Sequence, residues 1–191
     1  ERRPAARHAL DAALTPESPE KQRGLLTHRL LEVLPSLPAE ARGEAARRHV
    51  TARAGGLDAA TREAIVAEVE AVLADPAFAE VFAEGSRAEV AIAGEIVGTS
   101  GGRIDVSGRI DRLAVGPSEV LVVDYKSDRG DGATPAHLAQ LALYRRLLGE
   151  MFPGRAIRCA LLWTAIPRLE EIAAERLDAA ARRLGIGREA R

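Results

Sequence analysis

Residues 119–128, EVLVVDYKSD, constrain the fold of this chain more than any other stretch. The four consecutive apolar residues at 120–123 predict a strand that is buried on both faces of a sheet. That run ends directly in Asp124, Tyr125 and Lys126. Because side chains alternate along a strand, the carboxylate of Asp124 and the amine of Lys126 leave the same face. The stretch therefore predicts a core strand that carries a charged site at its polar end.

The preceding strand is predicted to bring a second acid to this end. GRIDRLAV is joined to the buried strand by the short turn GPSE, and a hairpin over that turn pairs Val115 with Val120 and places Asp111 opposite Asp124. Directly opposed side chains on one face have Cβ atoms roughly 4.5–5.5 Å apart. Two carboxylates this close must share a proton or a cation, and a divalent ion that prefers oxygen ligands resolves the conflict best. A one-residue bulge would instead turn Asp111 to the other face.

The lysine in this stretch indicates what such a site could do. Of 27 basic residues in the chain only two, Lys21 and Lys126, are lysines. Arginine stays protonated, whereas the pKa of a lysine amine can be moved. Beside Asp124, Lys126 can orient or help to deprotonate an attacking water, or stabilise negative charge in the transition state. These groups predict metal-assisted attack of water on a phosphodiester, and a surface ion pair between Asp124 and Lys126 is the alternative.

The remaining pattern predicts an α/β domain in which helices flank a mixed sheet. Helices are predicted at 23–34, 38–53, 58–74, 76–83, 134–150 and 174–184, and strands at 87–97, 103–115, 119–126, 156–164 and 168–173. Asp58 and Thr134 are the predicted caps of two of these helices, and Pro76 is a favoured first-turn residue.

The domain is predicted to cover residues 22–185, with a helical part at 22–84 and an α/β core at 85–185. Residues 1–21, which lack apolar periodicity, are predicted to be a linker or tether, and 186–191 a C-terminal tail. Because residue 1 is Glu rather than Met, we expect the chain to be a piece of a longer polypeptide.

Composition narrows the possible classes of protein. The single cysteine, Cys159, excludes an internal disulfide and a four-cysteine iron–sulfur site built from this chain alone, and it is predicted to be a buried strand residue. No apolar run approaches the ~20 residues of a membrane span, and ERRPAARHAL does not resemble a secretory signal. A cytoplasmic location is therefore expected. The net charge of −1 neither favours nor forbids a nucleic-acid partner.

Four segments in this order resemble the RecB-type nuclease domain of the PD-(D/E)xK superfamily. They are GLLTHRLLEVLP, GRIDRLAVGPSEVLVVDYKSD, HLAQLALYRRLL and CALLWTAIPRL. Within that superfamily the sequence is most similar to the C-terminal nuclease domain of AddA, a helicase–nuclease subunit that processes double-strand DNA breaks. The resemblance implies a restriction-endonuclease-like fold, a mixed β-sheet flanked by helices, with an added N-terminal helical segment.

The resemblance also assigns roles to the residues of the site. It implies that Asp111 and Asp124 are the acidic metal ligands and that Lys126 is the catalytic lysine. It implies that His28 completes the metal site, although a histidine on a Leu-rich helix is otherwise a core or boundary residue. The main-chain carbonyl of Tyr125 is expected to supply a further ligand. This donor set suits Mg²⁺ and Mn²⁺ alike.

Further positions match the family less directly. Gln140 and Tyr144 match a Q-x-x-x-Y pattern that the resemblance associates with holding the DNA strand or ordering the site. By spacing alone they are equally well a pair on a helix surface. Glu89 lies where this branch often carries an acid, and it is given a secondary role.

The resemblance implies a Mg²⁺- or Mn²⁺-dependent deoxyribonuclease that hydrolyses single strands from an unwound duplex during double-strand break processing. The chain has no G-x-x-x-x-G-K-[ST] loop, so the helicase motor is expected elsewhere in the same full-length polypeptide, with an AddB-like subunit as partner. Phosphate contacts are expected from four arginines, Arg109, Arg112, Arg129 and Arg145, which a solvated face explains equally well. The alternative function is a catalytically silent nuclease-like module that acts as a DNA clamp or subunit-docking domain.

Overall fold

A single mixed sheet of five strands, in the order β1-β2-β3-β4-β5, organises the fold of this computed structural model, which describes residues 18–187. The strands are β1 Arg87–Val97, β2 Arg103–Val115, β3 Glu119–Lys126, β4 Ala156–Trp163 and β5 Arg168–Glu171. Neighbouring strands are antiparallel except for β3 and β4, which are parallel. A parallel pair requires a long crossover connection, and a helix supplies it here.

Helices cover both faces of this sheet. They are α1 Pro19–Val33, α2 Ala39–Arg53, α3 Ala59–Ala74, α4 Pro135–Met151 and α5 Ala174–Arg183. The first three precede the sheet, α4 connects β3 to β4, and α5 follows β5. The predicted mixed sheet flanked by helices, with an N-terminal helical segment, is confirmed.

The caps that the sequence indicates determine where two of the helices begin. The Asp58 carboxylate accepts a hydrogen bond from the backbone N–H of Thr61 at 2.7 Å. The Thr134 hydroxyl accepts the backbone N–H of His137 at 3.3 Å, and His137 Nδ1 accepts the backbone N–H of Thr134 at 3.3 Å. Each bond satisfies a backbone donor that a helix start otherwise leaves without a partner.

Two predicted elements differ from the structure by more than two residues at one end. Helix α1 begins at Pro19 rather than residue 23, because Ser18 caps it and Pro19 is in its first turn. Residues 18–21 of the predicted tether thus belong to this helix start, and residues 1–17 lie outside the described residues. The predicted helix 76–83 is only a 3-10 turn, Pro76–Phe78. The buried Phe78 and Val81 are spaced for a 3-10 turn, which has three residues per turn.

Strand β3 is buried on both faces, as its apolar run predicts. On one face Leu121 and Val123 pack in a cluster with residues of α1 to α3. On the other face Val120 and Val122 pack in a second cluster with residues of α4 and α5. Cys159 of β4 lies in this second cluster and is fully buried, as predicted. Burial raises the pKa of its thiol to about 12.

The second cluster also includes Ile186, the first residue of the predicted C-terminal tail. This side chain is buried, and its backbone forms an isolated bridge with Gly98. Residues 188–191 of that tail lie outside the described residues. No helix among residues 18–187 is long and apolar enough to cross a membrane.

The hairpin of β2 and β3 has the predicted register, since Val115 pairs with Val120. Its ladder, however, ends at the pair Arg112 and Val123, so the predicted direct opposition of Asp111 and Asp124 does not form. Both Ile110 and Leu113 pack in the same core cluster, although strict alternation would place them on opposite faces. Strand β2 therefore loses its alternation at 111–112, which is the bulge-like outcome that the sequence left open.

Candidate active site

The carboxylate of Asp111 occupies the position where the β2–β3 ladder ends. Its Oδ2 accepts a hydrogen bond from the backbone N–H of Tyr125 at 2.7 Å. The carboxylate thus accepts the bond that a backbone carbonyl of β2 would accept if the ladder continued. The side chain is only 13% exposed. Asp111 is thus held beside the backbone of β3 instead of projecting from the face of the sheet that carries Asp124.

Helix α1, which packs on one face of the sheet, places His28 beside Asp111. Its Nδ1 lies 3.7 Å from Asp111 Oδ1, and the edge of its ring contacts the Tyr125 ring at 5.5 Å between centroids. One turn earlier on the helix is Gly24, where an added Cβ would lie 2.9 Å from the hydroxyl of Ser127. The glycine therefore lets α1 approach the loop that follows β3, which positions His28 over the site.

Glu89 completes a close group of three possible metal ligands. Atoms of His28, Glu89 and Asp111 that can bind a metal all lie within 4.8 Å of one another. Glu89 has a φ of +52°, in the left-handed region that non-glycine residues avoid. The pairs of the β1–β2 ladder on either side of it form normally, while Glu89 itself is skipped. Such local strain occurs most often at functional sites.

The electrostatics of this group favour a bound cation. The pKa of Asp111 is raised to about 6, mainly by burial and also by the charges of Asp124 and Glu89, while His28 and the hydrogen bond from the Tyr125 N–H act in the opposite direction. A positive ion between the carboxylates would relieve this repulsion. An imidazole nitrogen with carboxylate oxygens is a donor set that both Mg²⁺ and Mn²⁺ accept. The residues therefore fit a divalent cation.

Asp124 and Lys126 form a separate, largely buried pair at the end of β3. Lys126 Nζ lies 2.5 Å from Asp124 Oδ2, and the two side chains are 19% and 9% exposed. Asp124 Oδ2 has no hydrogen-bond partner within the described part of the chain, so its contact with Lys126 is an ion pair. Asp124 influences the pKa of Asp111 but lies outside the close group of three. Because the pair is buried, it differs from a solvated surface ion pair.

Tyr125 links the two groups. Its backbone N–H donates to Asp111, and its side chain, 2% exposed, packs beside His28. Burial raises the pKa of its phenol above the usual range. The hydroxyl has no hydrogen-bond partner among residues 18–187, so this residue contributes its backbone and its ring to the site.

Comparison of the chain with known proteins identifies its family. The sequence profile of the PD-(D/E)XK nuclease superfamily matches residues 4–185. The chain belongs to this superfamily. Its α/β fold is accordingly restriction-endonuclease-like, and membership usually means a metal-dependent nuclease, which implies DNA binding.

Two solved structures are similar to this PD-(D/E)XK chain. The crystal structure of SSO0001 shares 16% identity, with a TM-score of 0.34 and 83% of each chain covered. Protein VC1899 from Vibrio cholerae shares 14% identity, with a TM-score of 0.35 and 91% of this chain covered. The chain spans about half, 52%, of VC1899. No curated protein matches the chain.

In this PD-(D/E)XK domain, Gln140 and Tyr144 form a hydrogen-bonded link from α4 to β2. The Tyr144 hydroxyl accepts the backbone N–H of Arg109 at 3.2 Å and donates to the carbonyl of Arg109 at 3.3 Å. Gln140 Nε2 donates to the same hydroxyl at 3.3 Å. Tyr144 is buried, and it fixes β2 just before Asp111. Both roles of this pair, holding the DNA strand and ordering the site, stay predictions.

The four arginines named as phosphate contacts differ in availability. Arg112 is buried beneath the Phe82 ring, 5.1 Å from its centroid, and burial lowers the pKa of its guanidinium. Arg145 donates to Asp178 at 2.6 Å. Arg109 is exposed and donates to Glu89 at 3.2 Å, and Arg129 is exposed in the loop after β3. Arg109 and Arg129 are therefore the exposed members of the four.

The sequence analysis does not predict a structural role for two glycines of the domain. A Cβ on Gly108 would collide with the Tyr144 ring and hydroxyl, and one on Gly24 would crowd Ser127. A glycine inside a strand or helix pattern often marks a close approach of another group. That signal could have identified both positions, but it could not have named the group that approaches.

Proposed function

We propose that this chain is the nuclease domain of an AddA-like helicase–nuclease subunit. In this proposal it hydrolyses phosphodiester bonds of single DNA strands, with Mg²⁺ or Mn²⁺, during double-strand break processing. The observation that carries the proposal is the close group of His28, Glu89 and Asp111, within 4.8 Å of one another, next to the buried pair of Asp124 and Lys126.

The cation would be held by this close group, with Asp124 and the Tyr125 carbonyl as the further ligands that the family resemblance implies. Once bound, a divalent cation supplies positive charge that stabilises the charge developing on a phosphate under attack. The chain holds the donors ready, because β3 fixes Asp111 through the Tyr125 N–H and α1 fixes His28.

The catalytic amine in this proposal is Lys126. Its ion pair with Asp124 keeps the amine at the end of a rigid core strand, so little reorganisation is needed to point it at the reacting phosphate. There it orients the attacking water or stabilises negative charge in the transition state. Arg109 and Arg129 would contact phosphates on either side, which makes DNA binding sensitive to salt and largely indifferent to sequence.

The wider assembly follows from the same resemblance. The motor that unwinds the duplex would lie in the same full-length polypeptide, an AddB-like subunit would be its partner, and the complex would act in the cytoplasm. Four matching segments of this chain support that assignment.

Cleavage of labelled linear single-stranded DNA tests the proposal. The wild-type chain is compared in Mg²⁺, Mn²⁺ and EDTA, and Lys126→Ala is compared with Lys21→Ala, the only other lysine of the chain. We expect metal-dependent cutting that Lys126→Ala reduces by about 100-fold or more and Lys21→Ala leaves intact. Metal-independent binding without any cutting would instead support the silent DNA clamp.

A further inference from the structure

Arg109 contacts one of the three possible metal ligands of the close group. Its Nη1 donates a hydrogen bond to Glu89 Oε2 at 3.2 Å, and the two side chains are 66% and 26% exposed. The guanidinium thus lies on the solvent side of the carboxylate. The same carboxylate belongs to the group whose metal-binding atoms lie within 4.8 Å of one another. A bound cation and Arg109 would therefore share Glu89 as a partner.

The ladder of β1 and β2 brings Arg109 within reach of this group. Arg109 pairs directly with Ala91, and Glu89 lies two residues before Ala91 on β1. Such diagonal neighbours in a sheet are about 7–8 Å apart, a distance that long side chains span. The pairs on both sides of Glu89 keep one register, so Glu89 lies opposite Asp111. This register fixes Arg109 at the border of the close group.

The backbone of Arg109 is held firmly, whereas its side chain is not. The β2–β3 ladder ends at Arg112 and Val123, so β3 does not pair with residue 109. The Tyr144 hydroxyl bonds the N–H and the carbonyl of Arg109 instead, at 3.2 and 3.3 Å. Within the described part of the chain the guanidinium has one hydrogen bond, the one to Glu89. The side chain can therefore change its partner without a change in the strand.

The pair of Arg109 and Glu89 is weak enough to be exchanged. Water screens an ion pair between exposed side chains, which contributes little to stability. A divalent cation at the close group would compete for the Glu89 carboxylate and would repel the guanidinium beside it. Arg103 and Glu95 form a comparable pair at 2.8 Å between the same two strands. Glu95 belongs to no group of three possible metal ligands among residues 18–187, so the cation would compete with the first pair alone.

A guanidinium that leaves Glu89 has the chemistry of a phosphate contact. Arginine binds phosphate oxygens through two parallel hydrogen bonds, and it stays protonated. Arg109 lies two residues before Asp111 on β2, so phosphates next to the scissile one would pass close to it. While the guanidinium is paired with Glu89, that carboxylate takes up a donor and repels a phosphate. Arg109 is therefore fully available to a DNA strand only when Glu89 has another partner.

We propose that Arg109 is a phosphate-binding residue that exchanges partners. Its guanidinium pairs with Glu89 when no cation is bound, and it moves to a phosphate of the DNA strand when a divalent cation binds the carboxylate. This inference rests on the proposed nuclease function, which supplies both the cation and the strand. Because coupling between two ligands is reciprocal, Arg109 makes the cation and the strand tighten each other by one factor. We expect about fivefold, the most that an exposed ion pair usually contributes.

Calorimetric titration with Mn²⁺ in the absence of DNA is the first measurement. Arg109→Gln removes the competing charge and keeps a polar side chain, and it is expected to bind Mn²⁺ about fivefold more tightly than the wild type. Arg103→Gln is the matched control, because it breaks the other cross-strand pair, and it should bind Mn²⁺ like the wild type. An Arg109→Gln variant that binds Mn²⁺ equally or more weakly would overturn the inference.

The second measurement repeats the titration in a saturating amount of a linear single-stranded oligonucleotide. Both proteins carry Lys126→Ala, which keeps the strand intact under the proposed mechanism, and one also carries Arg109→Gln. Without DNA the two should again differ about fivefold in their affinity for Mn²⁺. With DNA they should bind it equally, because Arg109 then contacts a phosphate and no longer competes for Glu89. A difference that persists with bound DNA would show simple repulsion between Arg109 and the cation and would overturn the exchange.

The outcomes separate this inference from the nuclease function. Metal-dependent cleavage by the wild type, together with equal Mn²⁺ affinities of the wild type and Arg109→Gln, overturns the exchange and leaves the nuclease intact. A difference in Mn²⁺ affinity that DNA abolishes, without any cleavage by the wild type, supports the exchange in a silent DNA clamp and overturns the nuclease.

Discussion

Replacing Asp111 by asparagine should stabilise the metal-free domain at neutral pH. Asparagine keeps a carbonyl oxygen that can accept the backbone N–H of Tyr125, as Asp111 does now. It removes the charge that burial, Asp124 and Glu89 make unfavourable. The substitution thus separates the structural hydrogen bond from the electrostatic cost of the carboxylate.

The size of the effect follows from the pKa of Asp111, which burial raises from 3.8 to about 6. A shift of about two units corresponds to roughly 3 kcal/mol at about 1.4 kcal/mol per unit. Because the pKa is higher in the folded state, the stability that this group contributes is present below pH 4 and is lost as the pH rises through 6. The carboxylate therefore costs the folded state most above pH 6.

Urea unfolding of the wild type and Asp111→Asn in EDTA measures this effect. We expect the free energies of unfolding to be similar at pH 4 and the variant to be more stable by about 2–3 kcal/mol at pH 8. Asp105→Asn, an exposed acid on the same strand, should show no such gain. Saturating Mn²⁺ should stabilise the wild type and leave Asp111→Asn unchanged. A difference between the two proteins that is the same at pH 4 and pH 8 would refute the electrostatic reasoning.

Three further substitutions test how the site is held. Glu89→Gly relieves the positive φ of +52° and should raise the free energy of unfolding by about 1 kcal/mol. The same substitution should weaken Mn²⁺ binding measured by calorimetry. A lower free energy of unfolding would contradict the inference that Glu89 is strained. Gly108→Ala should cost about 1–3 kcal/mol in urea unfolding, whereas Gly102→Ala, with the nearest atom at 3.7 Å, should cost less. Gly24→Ala should weaken Mn²⁺ binding several-fold by displacing α1. The double variant Gly24→Ala with Ser127→Ala should bind Mn²⁺ normally again, because it lacks the hydroxyl that the new Cβ would crowd. If binding did not recover, contacts other than Gly24 and Ser127 would hold the helix.

Much of the fold could be predicted because the local signals agree with each other. The bounds of β1, β2 and β3 match the prediction. The buried apolar run of β3 and the short turn GPSE leave one register for the pairing of β2 with β3 that places the side chains of β3 on the correct faces, and the structure has this register. The apolar pattern predicts too late a start for α1, because this pattern begins after the cap of the helix. Here the capping chemistry of Ser18 and Pro19 determined the boundary.

The geometry of the site was less accessible to the sequence. The position of Asp111 depends on the N–H of Tyr125 and on the skipped residue Glu89 in the next strand. Neither is visible in local spacing. The contact of His28 with Asp111 joins a helix to a strand far along the chain, and only the resemblance to a family indicated it.

The places where local rules fail coincide, and this argues that the site is functional. A left-handed Glu89, a ladder that ends early and a carboxyl with a raised pKa all meet at Asp111. Each is unfavourable alone, so the surrounding packing must impose them, and the buried β3 and the anchored Tyr144 are rigid enough to do so. A fold that needed only stability would gain by removing all three features. Departures from consistent local structure are expected where a protein performs its chemistry, and a cation would convert the repulsion at this point into binding energy.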